Sequence, residues 1–213
     1  IMARLLTASK DIDLVFGLVE ERTENPGLFY NSAAYLTGGE IAHIHRKVFL
    51  PTSGMFEEAR FFARGHDFMA FPTGSNRAGL LICRDLLHYS SSYCLLAGGA
   101  GLIIAISAAP GRGITDEGSQ GFESSQNWEL IGKAISYFSS AYVIYCNRVG
   151  LEDGITFAGG SFIYTPDGQP CLKLPYLEPD FSLQEIDFDL IRKARKNRPY
   201  YRDERPEVIW HSL

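Results

Sequence analysis

The sequence lacks the features that would link it to a membrane or to nucleic acid. No apolar run approaches the roughly 20 residues that a bilayer-spanning helix needs. The apolar residues near the start are interrupted by Lys10, Asp11 and Asp13, so no signal peptide is predicted. Basic charge is not in excess either, because the net charge is −5 over 213 residues, which gives no broad positive field. We therefore expect a cytoplasmic protein whose partners include neither a membrane nor nucleic acid.

Cysteine is scarce, and its spacing fits neither a zinc site nor a disulfide framework. The four cysteines form no CxxC pair: Cys83, Cys94, Cys146 and Cys171. His43 and His45 alternate on one face of a predicted strand, but no third metal ligand follows at a recognisable spacing. The sequence therefore predicts no metal site and no cofactor.

What is present is typical of one globular domain. Hydrophobic residues make up 46% and charged residues 21% of the chain, which allows a sizeable core. Short apolar runs separated by glycine-rich turns predict strands, and three-to-four-residue apolar spacing predicts helices. The predicted strands are 13–20, 30–36, 40–48, 68–72, 78–82, 102–107, 141–146, 160–164 and 171–175, and the predicted helices are 1–9, 91–97, 127–139 and 188–196.

The order of these elements predicts the architecture. Residues 30–48 read as a hairpin across Gly38 and Gly39, and residues 78–107 read as a strand–helix–strand crossover. Residues 111–126 form the longest irregular segment, and loops of this length are usually functional or mobile. Alternating hairpins and crossovers indicate an α/β fold with two mixed sheets packed face to face and helices outside, a four-layer α-β-β-α sandwich.

Cys83 is the first candidate for chemistry, because it ends the apolar strand 79–83 just before a turn into a helix. A thiol at such a strand end can face a cleft, and the backbone N–H groups after it can bind an oxyanion. The alternative is a buried structural cysteine. His88 and Ser107 are predicted to line the same cleft, and a Cys83–His88 pair is a rival mechanism, although five residues make direct contact geometrically awkward.

Lys47 is the second candidate, because it lies in a strand between apolar neighbours. Such a lysine can point into the interior if a carboxylate pairs with it, and it would then stabilise a developing negative charge. Glu57 and Glu58 follow among aromatic and Met side chains, so one of these carboxylates is a candidate partner. The alternatives are a solvated cation on an edge strand, beside Arg46, and a solvated acidic pair.

Several segments together resemble the nitrilase superfamily, the carbon–nitrogen hydrolases, over essentially the whole chain. One such motif would be weak, but the ordered series is specific. The matching segments are 30–34 (YNSAA), 45–51 (HRKVFLP), 58–62 (EARFF) with Gly65, 79–85 (GLLICRD), 147–150 (NRVG), 159–161 (GGS) and 202–206 (RDERP).

The resemblance implies the four-layer sandwich of that superfamily and a hydrolase that cleaves a non-peptide C–N bond through a cysteine thioester, releasing ammonia or an amine. It implies Cys83 as nucleophile and Lys47 as the electrophilic residue. It also implies Glu58 as a supporting glutamate and the Arg84 backbone N–H as an oxyanion donor. The substrate would be a small amide, with a nitrile or a carbamoyl compound as alternatives.

The family's general-base glutamate lies upstream of every motif found here, and no residue of this chain matches it. The chain starts at Ile1 inside a predicted helix. We therefore expect residues 1–213 to be a single hydrolase domain that lacks its N-terminal strands and general-base segment, on the order of 60–70 residues at roughly 30 per strand–helix unit. We expect this chain alone to be inactive. Arg84 and Leu87 differ from the family's usual residues beside the cysteine, which leaves the substrate open.

Two other functions remain open. One is a catalytically inactive or truncated sandwich with a role in binding or assembly. The other is a glutaminase module that supplies ammonia to a partner synthetase, which another polypeptide would have to provide because no nucleotide-binding loop follows here. The resemblance also implies a homodimer or a higher homo-oligomer, with helix 127–139 and the C-terminal tail as candidate contact surfaces.

Overall fold

The computed structural model describes residues 1–74, 76–113 and 122–212. Its helices are α1 (Met2–Ala8), α2 (Glu58–Phe61), α3 (Tyr89–Ala97), α4 (Glu123–Ser139), α5 (Phe188–Asn197), α6 (Tyr200–Asp203) and α7 (Pro206–Ser212), with a 3₁₀ turn at Cys83–Leu87. Its strands are β1 (Leu14–Glu21), β2 (Phe29–Thr37), β3 (Glu40–Arg46), β4 (Phe71–Pro72), β5 (Arg77–Ile82), β6 (Leu102–Ser107), β7 (Tyr142–Asn147), β8 (Val149–Glu152), β9 (Ile155–Ala158), β10 (Phe162–Tyr164) and β11 (Pro170–Lys173).

The larger sheet has six strands in the order β11-β10-β7-β6-β5-β4. Its three central strands, β5, β6 and β7, are parallel, and Ile82, Ile106 and Cys146 lie side by side. The predicted crossover from β5 through α3 to β6 is therefore confirmed. Because parallel strands end at the same edge, the residues that follow these positions, Cys83, Ser107 and Asn147, come to one side of the sheet.

The smaller sheet has three antiparallel strands in the order β1-β2-β3. The predicted hairpin joins β2 to β3 through Gly38 and Gly39, whose φ angles of +61° and +87° are accessible to glycine at little cost. On this sheet Glu20 of β1 accepts hydrogen bonds from Ser32 of β2 and from the Arg46 side chain of β3. All three strands are thus linked by one carboxylate.

Two apolar clusters hold the layers together. Between the sheets, Ala33 and Tyr35 of β2 pack with Leu80 and Ile82 of β5. On the other face of the larger sheet, α3 and α4 pack on the second cluster, which contains Leu81, Leu95, Ile103, Ile135, Val143, Tyr145 and Phe162. This mixed α/β arrangement, with two sheets face to face, confirms the predicted fold class. On the smaller sheet α1 lies near β2, and none of its residues is buried.

Several elements differ from the sequence predictions. The hairpin β8–β9 was not predicted, and α4 begins four residues before the predicted start at 127. On α4, Phe138 is 62% exposed, whereas Ile135 is buried. The predicted loop 111–126 falls partly outside the described residues, at 114–121. None of the described helices is both long and apolar enough to cross a membrane.

Candidate active site

Cys83 occupies a sharp turn between β5 and the 3₁₀ turn. Its φ angle is +47°, in the left-handed region that non-glycine residues seldom adopt outside special sites. The preceding strand is fixed by close helix packing, since a Cβ on Gly79 would lie 2.4 Å from a methyl carbon of Leu95. Cys83 is half-buried and packs partly against the inter-sheet cluster. A strained strand-to-helix turn of this kind presents a side chain to a cleft.

Lys47 lies directly after β3 and is only 2% exposed. Its Nζ donates to both carboxylate oxygens of Glu58, at 2.7 and 2.8 Å. Its backbone is also fixed on both sides, because its N–H donates to the Asn31 carbonyl at 2.8 Å and its carbonyl accepts from Gly65 N–H at 2.9 Å. The interpretation of Lys47 as a solvated edge cation is therefore wrong.

Glu58, the first residue of α2, is the partner carboxylate of the acidic pair. Its side chain is 19% exposed, and the Asn31 amide lies 3.5 Å from its Oε2. Glu57, by contrast, is turned outward and pairs with Arg60 at 3.3 Å. With both oxygens bound to Lys47, Glu58 is suited to hold the ammonium in place.

These side chains share one cleft between the sheets, with a volume of about 590 Å³. Lys47, Glu58, Cys83 and Ser107 all line it. The other lining residues are Val15, Phe16, Gly17, Asn31, Phe56, Ile82, Ile106, Ala108, Cys146, Asn147, Arg148 and Phe157. A larger, mainly apolar cavity of about 740 Å³ lies instead between α3, α4 and α6, away from Cys83 and Lys47. The cleft therefore contains the residues able to do chemistry.

The predicted cleft position of His88 is corrected by the structure. The His88 ring stacks on Phe49, with centroids 3.6 Å apart and planes 11° from parallel, and His88 is not among the cleft-lining residues. The 3₁₀ turn Cys83–Leu87 carries the chain away from the cleft before His88. The rival Cys83–His88 mechanism thus has no geometric support.

Arg84 is the second residue of the 3₁₀ turn. The first N–H groups of a helix have no partner within that helix, so the Arg84 N–H beside Cys83 is suited to receive an oxyanion. Within the described chain, no cluster of three His, Cys, Asp or Glu side chains could hold a metal ion. His43 stacks on Phe71 instead, and burial lowers the pKa of its imidazole.

Three polar residues near the cleft lie in the matching segments 79–85 and 147–150 but were given no role from the sequence. Asn147 joins two neighbouring loops, because its Oδ1 accepts from Ala109 N–H and its Nδ2 donates to the Gly159 carbonyl, both at 2.9 Å. Arg148 places its guanidinium 4.3 Å from the ring centre of Phe157 at the cleft wall. Asp85 is completely buried two residues after Cys83. An acid inside an apolar segment is the signal that could have identified Asp85.

Comparison with known proteins places this chain in a family. The family model for carbon–nitrogen hydrolases matches residues 3–196. The glutamine-dependent NAD⁺ synthetase of Acinetobacter baylyi is 28% identical over 180 residues, which are 84% of this chain and 31% of that protein. This chain thus spans less than a third of that relative's length.

Two solved structures are similar over nearly the whole chain. A carbon–nitrogen hydrolase from Helicobacter pylori G27 superposes with a TM-score of 0.85 at 28% identity, covering 97% of this chain and 73% of that one. A mutant amidase from Nesterenkonia sp. AN1, with acrylamide added to its active-site cysteine, superposes with a TM-score of 0.75 at 26% identity, covering 100% of this chain and 74% of that one. This chain belongs to the carbon–nitrogen hydrolase family, the nitrilase superfamily.

Proposed function

We propose that this chain carries the nucleophile of an amidase-type hydrolase, with Cys83 forming a thioester to the acyl group of a small amide. The observation that carries the proposal is the buried Lys47 ammonium, held by Glu58 on the wall of the cleft that Cys83 also lines. Removing an ammonium from water is costly unless it is paired. An ammonium that lines the same cleft as a half-buried thiol is well placed to stabilise negative charge that develops there.

The reaction proceeds in two halves. In the first, the Cys83 thiol gives its proton to a base while sulfur bonds to the carbonyl carbon, and the carbonyl oxygen becomes an oxyanion that Lys47 Nζ and the Arg84 N–H stabilise. The C–N bond then breaks, and the nitrogen takes the proton from the base and leaves as ammonia or an amine. In the second half, water attacks the thioester, releasing the carboxylic acid and restoring the thiol.

The base in this scheme is a group other than Glu58. Both carboxylate oxygens of Glu58 are already bound to Lys47, so this residue is assigned to hold the ammonium. The resemblance implies a further glutamate as base, and none of the 213 residues matches its motif. The activity is therefore proposed for the complete gene product.

A glutaminase that supplies ammonia to a synthetase is the second candidate. The similarity to the Acinetobacter baylyi glutamine-dependent NAD⁺ synthetase favours it. Glutamine carries a primary amide, so the same cleft chemistry would apply. The two candidates differ in their preferred amide and in whether the ammonia passes to a partner.

We also propose a homodimer or a higher homo-oligomer. On α4, Leu130 is 65% exposed and Phe138 62% exposed, and Trp210 in the C-terminal tail is 80% exposed. Light scattering of the complete protein tests this assembly. A monomer at all concentrations would contradict it.

An ammonia-release screen on the complete gene product tests the proposed function. The panel contains small aliphatic amides, glutamine, carbamoyl compounds and nitriles. We expect turnover of at least one amide, and we expect Cys83→Ala to abolish it. Cys94→Ser, at an exposed thiol on α3, is the matched control and should retain activity. No turnover of any compound, or turnover that survives Cys83→Ala, would contradict the proposal.

A further inference from the structure

Asp85 accepts hydrogen bonds from residues that flank both members of the proposed catalytic pair. Its Oδ1 lies 3.2 Å from Val48 N and 2.9 Å from Phe49 N, the two residues directly after Lys47. Its Oδ2 lies 3.2 Å from the backbone N of Ile82, the residue directly before Cys83. The same Oδ2 lies 2.9 Å from Nε2 of His45 on β3.

This carboxylate is completely buried, with 0% exposure. As a carboxylate it can only accept hydrogen bonds, and three backbone N–H groups point at it. His45 donates as well in the tautomer protonated at Nε2, and its side chain is 1% exposed. Hydrogen bonds to an ionised acceptor are shorter and stronger than neutral ones. The surroundings of Asp85 are thus complementary to a fixed negative charge.

The pair that Asp85 connects belongs to two different sheets. Lys47 follows β3 of the smaller sheet, and Cys83 follows β5 of the larger one. Apolar packing between the sheets has no strong directional preference. Within the described residues, all hydrogen bonds that join 40–50 to 77–90 end on Asp85. Asp85 is therefore the polar link that fixes the distance between the two chain segments.

We propose that Asp85 is a positioning residue, which holds the Lys47 ammonium in register with the Cys83 sulfur without touching substrate. This inference rests on the proposed function, because it assigns these two residues to one reaction. Catalytic groups must keep their geometry within a fraction of an ångström. A displacement of about 1 Å can lower a rate about 10²-fold.

The main variant is Asp85→Asn, which keeps the size of the side chain but replaces one acceptor oxygen by an NH₂ group. The new NH₂ group would then face N–H donors of the backbone, from which it cannot accept a hydrogen bond. In the complete gene product we expect kcat to fall about 10²-fold, with KM changed less than about threefold. We also expect the rate of alkylation of Cys83 by iodoacetamide to fall about tenfold, because the Lys47 ammonium is no longer positioned to stabilise negative charge at the sulfur.

Ile103→Val is the matched control for lost stability. Ile103 is fully buried on β6, in the cluster under α3 and α4. Its backbone pairs with Gly79 of β5, and the substitution changes only its apolar side chain. The melting temperature of this variant should fall, while its kcat and its rate of Cys83 alkylation stay near the wild-type values.

His45→Gln is the second variant, in case Asp85→Asn does not fold. It leaves the three backbone bonds to Asp85 intact and should lower kcat about tenfold.

The outcomes separate positioning from mere stabilisation. The proposal is supported if kcat and the rate of Cys83 alkylation both fall in the Asp85 or the His45 variant, measured below the melting temperature of that variant. Neither quantity should fall in Ile103→Val. Rates within twofold of wild type overturn it, as does failure of both variants to fold. If the wild type turns over no amide, the proposed function fails, and the alkylation rates still decide whether Asp85 controls Cys83.

Discussion

The two sheets hold the proposed catalytic pair in different ways. In the larger sheet, β5 has five of its six residues buried, and it lies between the apolar clusters on both faces. In the smaller sheet, β3, which leads to Lys47, has one buried residue among its seven, and polar contacts such as those of Glu20 join the strands. Cys83 is thus fixed by dense packing, whereas Lys47 depends on a few hydrogen bonds. The comparison indicates that the lysine side of the site is the more easily disturbed.

Removing the nucleophile should have the largest effect on activity. Cys83→Ala in the complete protein should lower kcat/KM on the order of 10⁴-fold or more, because no other group forms the acyl intermediate. Steady-state ammonia release measures this change. The melting curve of Cys83→Ala should stay close to that of the wild type. Retention of more than about a tenth of the activity would show that another residue is the nucleophile.

Removing the ammonium should have the next largest effect. Lys47→Met should lower kcat about 10²- to 10³-fold by loss of oxyanion stabilisation. It should also lower the free energy of unfolding by about 3 kcal/mol, because Glu58 is left unpaired in a mostly buried site. Urea denaturation and turnover together measure both effects.

The double variant Lys47→Met with Glu58→Gln is the control for the ammonium prediction. It should recover most of the stability and none of the activity, because it removes the unpaired charge without restoring the oxyanion donor. Recovery of turnover would contradict the assignment of Lys47.

The contrast between a buried strand of the larger sheet and the exposed strand β1 of the smaller one should appear when an apolar side chain is truncated on each. Leu81→Ala, at a site with 0% exposure on β5, should lower the free energy of unfolding by about 3 kcal/mol through cavity formation. Val19→Ala, at a site 64% exposed on β1, should change it by less than about 0.5 kcal/mol. Equal losses in urea denaturation would refute the contrast.

The strained turn at Cys83 predicts a smaller effect. Glycine adopts a φ of +47° more readily than alanine, so Cys83→Gly should be more stable than Cys83→Ala by about 1 kcal/mol. Neither variant should be active. Thermal unfolding of the two proteins measures the difference, and a more stable alanine variant would mean that the turn relaxes in solution.

The smallest expected effect is the pH dependence of the smaller sheet. Hydrogen bonding from Arg46 lowers the pKa of the Glu20 carboxyl from its ordinary value of 4.5, and burial opposes this shift. A depressed folded-state pKa stabilises the fold above the unfolded-state pKa, and the contribution is lost as pH falls through the folded-state value. At pH 7 the free energy of unfolding of Glu20→Gln should therefore be lower than that of the wild type by up to about 1 kcal/mol. This difference should shrink below pH 4.5, and a difference constant from pH 7 to pH 3 would contradict the assignment.

The sequence predicted those features whose signals are local. Gly38 and Gly39 mark the β2–β3 hairpin, and the apolar neighbours of Lys47 indicated that it needs a carboxylate. The β8–β9 hairpin carries a local signal as well, because the pair Asp153-Gly154 is typical of a two-residue hairpin turn. Both residues have the positive φ that such a turn requires. It was missed because exposed residues such as Leu151 give no clear alternation.

Other features depend on contacts that no local pattern encodes. Nothing in the spacing showed that the chain after Cys83 forms a 3₁₀ turn, which carries His88 to Phe49 and away from the cleft. Three partners of Asp85, on His45, Val48 and Phe49, lie 36 to 40 positions earlier in the chain, across the boundary between the sheets. Such long-range polar contacts require the packed structure.

Trapping of the acyl-enzyme tests the central claim most directly. The complete protein is mixed with an amide that it hydrolyses, quenched in acid within one turnover and digested for mass spectrometry. We predict an added acyl mass on the peptide that contains Cys83, and its absence from Lys47→Met under the same conditions. An acyl group on the neighbouring Cys146 instead, or no acyl group on any cysteine during turnover, would contradict the assignment of Cys83 as the nucleophile.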